Sequence, residues 1–181
     1  GPNLAREIMD GQPAASVVAI DDDTIARELQ RIFSNPRLLI YTNPDVVGCE
    51  VGGVVKNVIA IASGMAAGMG FGDNTRATLI TRGLAEMARL AEACGGRTET
   101  ACGLAGVGDL VVTSSNTGSR NAKLGALLAS GMSVQAAVEK IGATVEGIGT
   151  AHGALQLAAA HKLEMPITAA VVAALDGDRK S

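Results

Sequence analysis

Lys56 and Asn57 interrupt an otherwise apolar, glycine-rich run from Val51 to Ala62. The ordinary place for a lysine is a solvated surface, but these neighbours argue against it. Burying an uncompensated cation is costly, so Lys56 must be paired, must reach water, or must do chemistry. An apolar pocket disfavours the ammonium form, which moves a lysine toward the range where it gives and takes a proton. A carboxylate beside it would hold the cation and orient a substrate hydroxyl. Asp109, at the end of the glycine-rich stretch Gly103-Leu-Ala-Gly-Val-Gly-Asp109, is the candidate.

That stretch is not a phosphate cradle of a known kind. Val111 stands where a third glycine would complete GxGxxG, and no lysine follows as in a Walker motif. It reads as a loop that lets backbone approach a small ligand, or as a tight turn between helices. Asn116-Thr-Gly-Ser-Arg-Asn121 opens a helix. Free N–H groups there, with Ser119, Arg120 and Asn121, would make a set for gripping a phosphate, since arginine can fork onto two of its oxygens. The plainer account is a Ser or Asn cap with a surface arginine. Gly147-Ile-Gly-Thr-Ala-His-Gly153 imitates a dinucleotide loop, but no strand precedes it. Glu146, just before it, could meet a ribose hydroxyl or simply favour the helix dipole.

The elements that must position these groups are mostly helices. Ala14 to Ile20 reads as a buried strand, and Asp21 to Asp23 offer a cap to a helix with Ile25, Leu29 and Ile32 at helical spacing. Asn35-Pro36 stops it, and Leu38 to Thr42 is a second strand. A long helix is predicted from about Val46 to Gly70, where Gly64 and Gly68 admit a neighbouring backbone. The next, Thr75 to Cys94, is capped by Asp73-Asn74, carries an Arg82–Glu86 i,i+4 pair and ends at Gly95-Gly96. Further helices are expected at 119–130, 133–141, 147–162 and from Pro166, which suits a first turn. Residues 1–43 therefore read as the far edge of an α/β sheet and 44–181 as an all-α domain.

Composition narrows the function classes. The chain has 181 residues, enough for a real core, and 48% hydrophobic with 18% charged residues argues against disorder. The net charge of −3, the absence of a basic block and of Trp, with one Tyr and two Phe, give nucleic acid no footprint. Cys49, Cys94 and Cys102 lack CxxC spacing and suit reduced thiols in the cytoplasm; no metal site is expected around His152 or His161. The uncharged stretch 58–72 falls short of the roughly 20 residues that cross a bilayer, so no membrane span is expected. The chain starts at Gly1-Pro2 without the charged, apolar and small-residue pattern of a signal peptide, and both ends read as cut.

Seven ordered segments resemble the bacterial-type NAD(P)-dependent glycerol-3-phosphate dehydrogenases. They are Gly1-Pro-Asn-Leu-Ala-Arg-Glu7, Gly52-Gly-Val-Val-Lys-Asn-Val-Ile-Ala60, Ile80-Thr-Arg-Gly-Leu-Ala-Glu86, Gly106-Val-Gly-Asp-Leu110, Ser119-Arg-Asn121, Val145-Glu-Gly147 and Glu164-Met-Pro-Ile-Thr168. The resemblance implies a mainly α fold. It is the helical substrate domain of the 6-phosphogluconate-dehydrogenase C-terminal type, preceded by a β-α-β remnant of a Rossmann-like sheet. It implies interconversion of dihydroxyacetone phosphate and sn-glycerol 3-phosphate with NAD or NADP, supplying phospholipid synthesis. Lys56 falls on the family's proton-transferring lysine. Gly1, Asn3, Lys56, Asp109, Ser119, Arg120 and Asn121 fall on substrate positions, and Ala5, Arg120, Thr144 and Glu146 on cofactor positions. Thr144 departs from the usual aliphatic residue, which matters little for a backbone contact. The glycine-rich Rossmann loop and a second substrate lysine are not in this sequence.

Two other readings compete. The chain could be a non-catalytic helical module that dimerises or docks through its glycine-rich helices, and a homodimer stays open in any case. It could also belong to a hydroxyacid dehydrogenase with a carboxylate substrate, a class that also carries lysine and asparagine on the first long helix of a helical domain.

Overall fold

The computed structural model describes residues 1–116 and 118–177. A short helix α1 (Ala5–Met9) precedes strand β1 (Ala14–Ala19), helix α2 (Asp23–Phe33) and strand β2 (Leu38–Asn43). β1 and β2 pair in parallel, from Ala14 opposite Leu38 to Ala19 opposite Asn43. Asp22 caps α2 by accepting from the Ile25 N–H, as the run of aspartates predicts. The helix buries Ala26 and is pinned to β2 by Gln30, whose amide donates to the Ile40 carbonyl at 2.6 Å. Ile25 and Ile32, which repeat at helical spacing, are 45% and 56% exposed. A two-stranded sheet is too small to cover both sides of its helix layer, and no described element packs over these side chains.

The rest is helical. Helix α3 (Val46–Gly68) is apolar all round, as a helix enclosed by others must be. Val51, Val55 and Ile59 join one core with Met87, Leu90 and Leu110; Val58, Ile61 and Ala62 join another with Leu124, Val145 and Val171. It is long and apolar enough to cross a membrane by length and composition, but 61% of its most apolar window is buried inside the molecule. Asp45 caps it, accepting from the Gly48 N–H, and Gly70 (φ +82°) closes the turn behind it.

Helix α4 (Asp73–Ala93) starts two residues earlier than expected, with Gly72 as its cap residue, and ends at Gly95 (φ +88°). The expected Arg82–Glu86 pair does not form. Glu86 is 2% exposed and turns inward, away from its i−4 neighbour. The short helix α5 (Thr98–Ala101) leads to a single π-helical turn at Leu104–Gly108, which runs directly into α6 (Asp109–Ser115). The glycines that suggested a loop serve close packing instead: a Cβ on Gly106 would strike the Ala101 backbone, and one on Gly52 would lie 2.8 Å from the Ala105 oxygen.

The remaining helices are α7 (Arg120–Ala129), α8 (Val134–Ile141), α9 (Gly147–Ala160) and α10 (Pro166–Leu175). α7 is the neighbour that Gly64 and Gly68 admit: a side chain on Gly64 would overlap Ala122, and one on Gly68 would lie 2.9 Å from Ala126 Cα. Gly125 answers from α7, pressed against the Ile61 carbonyl. This contact packs α7 along the C-terminal part of α3, from Ile61 to Gly68, beyond Lys56.

Candidate functional site

Lys56 projects from α3 toward the first residue of α6. Its Nζ donates to Asp109 Oδ2 at 2.6 Å, and the two side chains are 23% and 14% exposed. The cation is therefore neither isolated nor solvated; it is half of an ion pair at the edge of the core. The Gly1 nitrogen donates to the same oxygen at 3.3 Å, and Thr113, one turn along α6, donates to Oδ1 at 3.4 Å. Lys56 retains two further N–H donors, for which the described residues offer no acceptor. This ammonium can polarise and protonate an oxygen placed beside it while Asp109 keeps it oriented.

A second polar connection runs beside the first. Asn121, 8% exposed, donates its amide to Asn57 Oδ1 at 3.0 Å and accepts the Gly147 N–H at 3.0 Å. Asn57 is 7% exposed and donates to the Gly53 carbonyl at 3.3 Å. The starts of α7 and α9 are thus tied to α3 one residue from Lys56. Gly147 must be small here, because a Cβ would come within 2.5 Å of Asn121 Oδ1. The run Gly147 to Gly153 lies inside α9 and forms no loop.

The other candidates are placed as follows. Ser119 caps α7, its Oγ accepting from the Ala122 N–H. Arg120 is exposed at the first residue of that helix, with no side-chain partner among the described residues. Glu146 precedes α9, exposed and making no capping bond, and Thr144 is exposed two residues before it. Asn3 donates to Ser16 Oγ at 2.8 Å, which ties the amino-terminal segment to β1, and Ala5 is exposed on α1. So Lys56, Asp109 and Gly1 touch, Asn121 and through it Arg120 are anchored next to them, and Asn3, Ala5, Thr144 and Glu146 lie outside the hydrogen-bonded cluster. Asn57 and Thr113 are the members that sequence reading left without a role. Their signals were present: an amide beside the lysine, and a hydroxyl one helical turn after the aspartate.

Supporting contacts lie nearby. Asp45 is 8% exposed; burial alone would raise its carboxyl, but hydrogen bonds from Thr100, Gly48 and Arg97 prevail and hold it below the ordinary value. It thereby joins the start of α3 to the segment that leads into α5. Burial and the Asp45 charge push the Cys49 thiol up, which suits an inert small side chain. Among the described residues no group of three His, Cys, Asp or Glu side chains could hold a metal ion.

With this geometry in hand, three comparisons place the chain. The family model described as NAD-dependent glycerol-3-phosphate dehydrogenase C-terminus matches residues 45–181. A glycerol-3-phosphate dehydrogenase (NAD(P)+) of Thermobifida fusca is 55% identical over 173 residues, 96% of this chain and 52% of that protein. One of Sphingopyxis alaskensis is 49% identical over 179 residues, 99% of this chain and 54% of the relative. The crystal structure of glycerol-3-phosphate dehydrogenase from Coxiella burnetii superposes with a TM-score of 0.94 at 40% identity, covering 98% of this chain and 55% of that one. The chain spans about half the length of the curated relatives it matches. On the match over residues 45–181, it belongs to the family of the NAD-dependent glycerol-3-phosphate dehydrogenase C-terminus.

Proposed function

We propose that this chain is the substrate-handling half of an oxidoreductase that interconverts dihydroxyacetone phosphate and sn-glycerol 3-phosphate with NAD or NADP. Residues 1–43 are the last part of its nucleotide-binding domain and 44–181 its substrate domain. The observation that carries the reading is the half-open Lys56–Asp109 pair at 2.6 Å. The Lys56 ammonium keeps N–H donors that no described residue accepts, so it can serve a substrate oxygen placed beside it. The assignment of the relatives to this reaction supports the substrate class.

In the direction of reduction, a ketone carbon gains a hydride and its oxygen gains negative charge. Lys56 stabilises that oxygen electrostatically and gives it a proton; in oxidation it takes the proton back. Asp109 orients the ammonium, assisted by Thr113. Arg120, with Ser119 at the helix start, grips the phosphate, and Asn121 fixes where that helix begins. Holding a remote phosphate in this way can lower the barrier by several kcal/mol through positioning. The nicotinamide cofactor, when bound, supplies the hydride. Arg120, Glu146, Thr144 and Ala5 would hold it. All four are exposed, and the chemistry of the set fits, a guanidinium for a phosphate and a carboxylate for ribose hydroxyls. The three cysteines, free in the structure, suit a reducing compartment such as the cytoplasm.

The test is a side-by-side assay of the full-length protein with dihydroxyacetone phosphate and with a short 2-keto acid. Turnover of the phosphate substrate, with the keto acid inert, is expected. The opposite preference would assign the site to a carboxylate substrate, and no turnover of either would favour a docking module.

A further inference from the structure

Three buried polar atoms among the described residues have no hydrogen-bond partner, and all three belong to side chains lining one cavity. They are Ser63 Oγ, Arg76 Nε and Ser114 Oγ. The cavity has a volume of about 260 Å³ and is shared by α3, α4, α6 and α7, with Lys123 on its rim. Ser63 is 1% exposed and Ser114 4%. The distribution is not random: native interiors leave few polar groups unpaired, and those few call for an explanation.

The chemistry of the lining is one-sided. Arg76 and Lys123 bring two positive charges, and no carboxylate lines the cavity. Asp73 binds Arg76 from outside, at Nη1, at 3.2 Å. That contact pins one end of the guanidinium and leaves the Nε–H edge turned to the buried side. Hydroxyls can donate as well as accept, so Ser63 and Ser114 add two possible donors to the same cavity. A donor set with positive charge in excess suits a small oxyanion, for which charge-assisted bonds are short and strong. The volume lies below that of pockets for drug-sized ligands and suits an ion of phosphate size.

We propose that this cavity is a second anion site, taking inorganic phosphate or an oxyanion of like size, distinct from the Lys56 site. It lies along the same three helices: Ser63 follows Lys56 by two turns of α3, roughly 10 Å along the axis, and Ser114 follows Asp109 on α6. An anion bound there would tie α4 to the helices that carry Lys56, Asp109 and Arg120. The proposal does not depend on the dehydrogenase reading, because its recognition rests on none of the residues given a role in the reaction.

The experiment is calorimetric titration of inorganic phosphate into the full-length protein carrying Arg120→Ala, which removes the other phosphate grip. One phosphate site should remain. Adding Arg76→Gln should weaken it by about tenfold or more, the usual effect of losing a charge-assisted bond. Lys123→Met, at an exposed position where folding is safe, should weaken it by a smaller factor. A crystal soaked in selenate should show an anomalous peak within hydrogen-bond distance of Arg76 Nε and both hydroxyls. Loss of all phosphate binding with Arg120→Ala alone overturns the proposal. So does a selenate soak that leaves only ordered water in the cavity. Because the readouts are binding and density, failure here is separable from failure of the turnover assay.

Discussion

Glu86 and Asp109 are both carboxylates drawn into the helical body, and they are used in opposite ways. Glu86, 2% exposed, accepts the Ile167 N–H at 2.6 Å, the Thr168 N–H at 3.1 Å and the Thr168 hydroxyl at 2.9 Å. Both oxygens are occupied, and the partners are the first N–H groups of α10, where a helix carries partial positive charge. Nothing is left for a ligand. Asp109 instead binds an ammonium that is 23% exposed and keeps donors without a described acceptor. The difference shows how a buried charge declares its use. Complete satisfaction by backbone marks a structural role. A partner with donors to spare can still take a further acceptor.

Breaking the closed member should have the largest effect on stability. Glu86→Ala leaves two N–H groups and a hydroxyl without their acceptor at the α4–α10 crossing and should cost about 3 kcal/mol in denaturant unfolding. A loss below about 1 kcal/mol would show that α10 is held by its apolar face alone. Asp45 is the intermediate case, a nearly closed carboxylate that caps α3. Asp45→Asn should cost about 1 to 2 kcal/mol at neutral pH. Its pKa is lowered in the fold, so its stabilisation is present above the unfolded value and is lost as pH falls through the folded one. The gap between wild type and Asp45→Asn should therefore close below about pH 4. A gap unchanged in acid would assign the cost to packing.

The open extreme on the stability side is the pair His152 Nε2–Asp176 Oδ1, at 2.9 Å, with side chains 40% and 60% exposed. The hydrogen bond to the Ile148 carbonyl, then that to Asp176, raises the His152 pKa. Its contribution is full below the unfolded value of about 6.5 and is lost as pH rises through the folded value. After solvent screening, Asp176→Asn should cost only about 0.3 kcal/mol at pH 5 and nothing at pH 9, read from paired melting curves.

The sequence disclosed some of this and concealed the rest for physical reasons. Most helices, and the caps at Asp22 and Ser119, were legible because periodicity, cap residues and Pro166 act locally. Lys56 stood out because a charge in an apolar run is improbable without a partner, and Asp109 because it ends the glycine-rich stretch Gly103 to Gly108. Glu86 was misread because spacing shows only what lies along one helix; its real partners are on α10, far along the chain. The Asn57–Asn121–Gly147 connection was hidden for the same reason, since amides carry no charge to betray their pairing. Of the two readings of Gly103–Asp109, a ligand-approach loop or a tight turn between helices, the π turn at Leu104–Gly108 fits the second, and glycine in sequence does not distinguish freedom from crowding. On α2 the apolar spacing of Ile25 and Ile32 was visible, but whether a layer would cover them was not.

The central claim is that Lys56 performs chemistry while Arg120 and its helix hold the phosphate. The most direct measurement is steady-state turnover of Lys56→Ala in the full-length protein, with glycerol 3-phosphate binding followed in parallel by thermal shift. Turnover should fall by about a hundred- to ten-thousand-fold, the range for loss of a general acid, while the ligand still raises the melting temperature. Near-normal turnover in that variant would contradict the account.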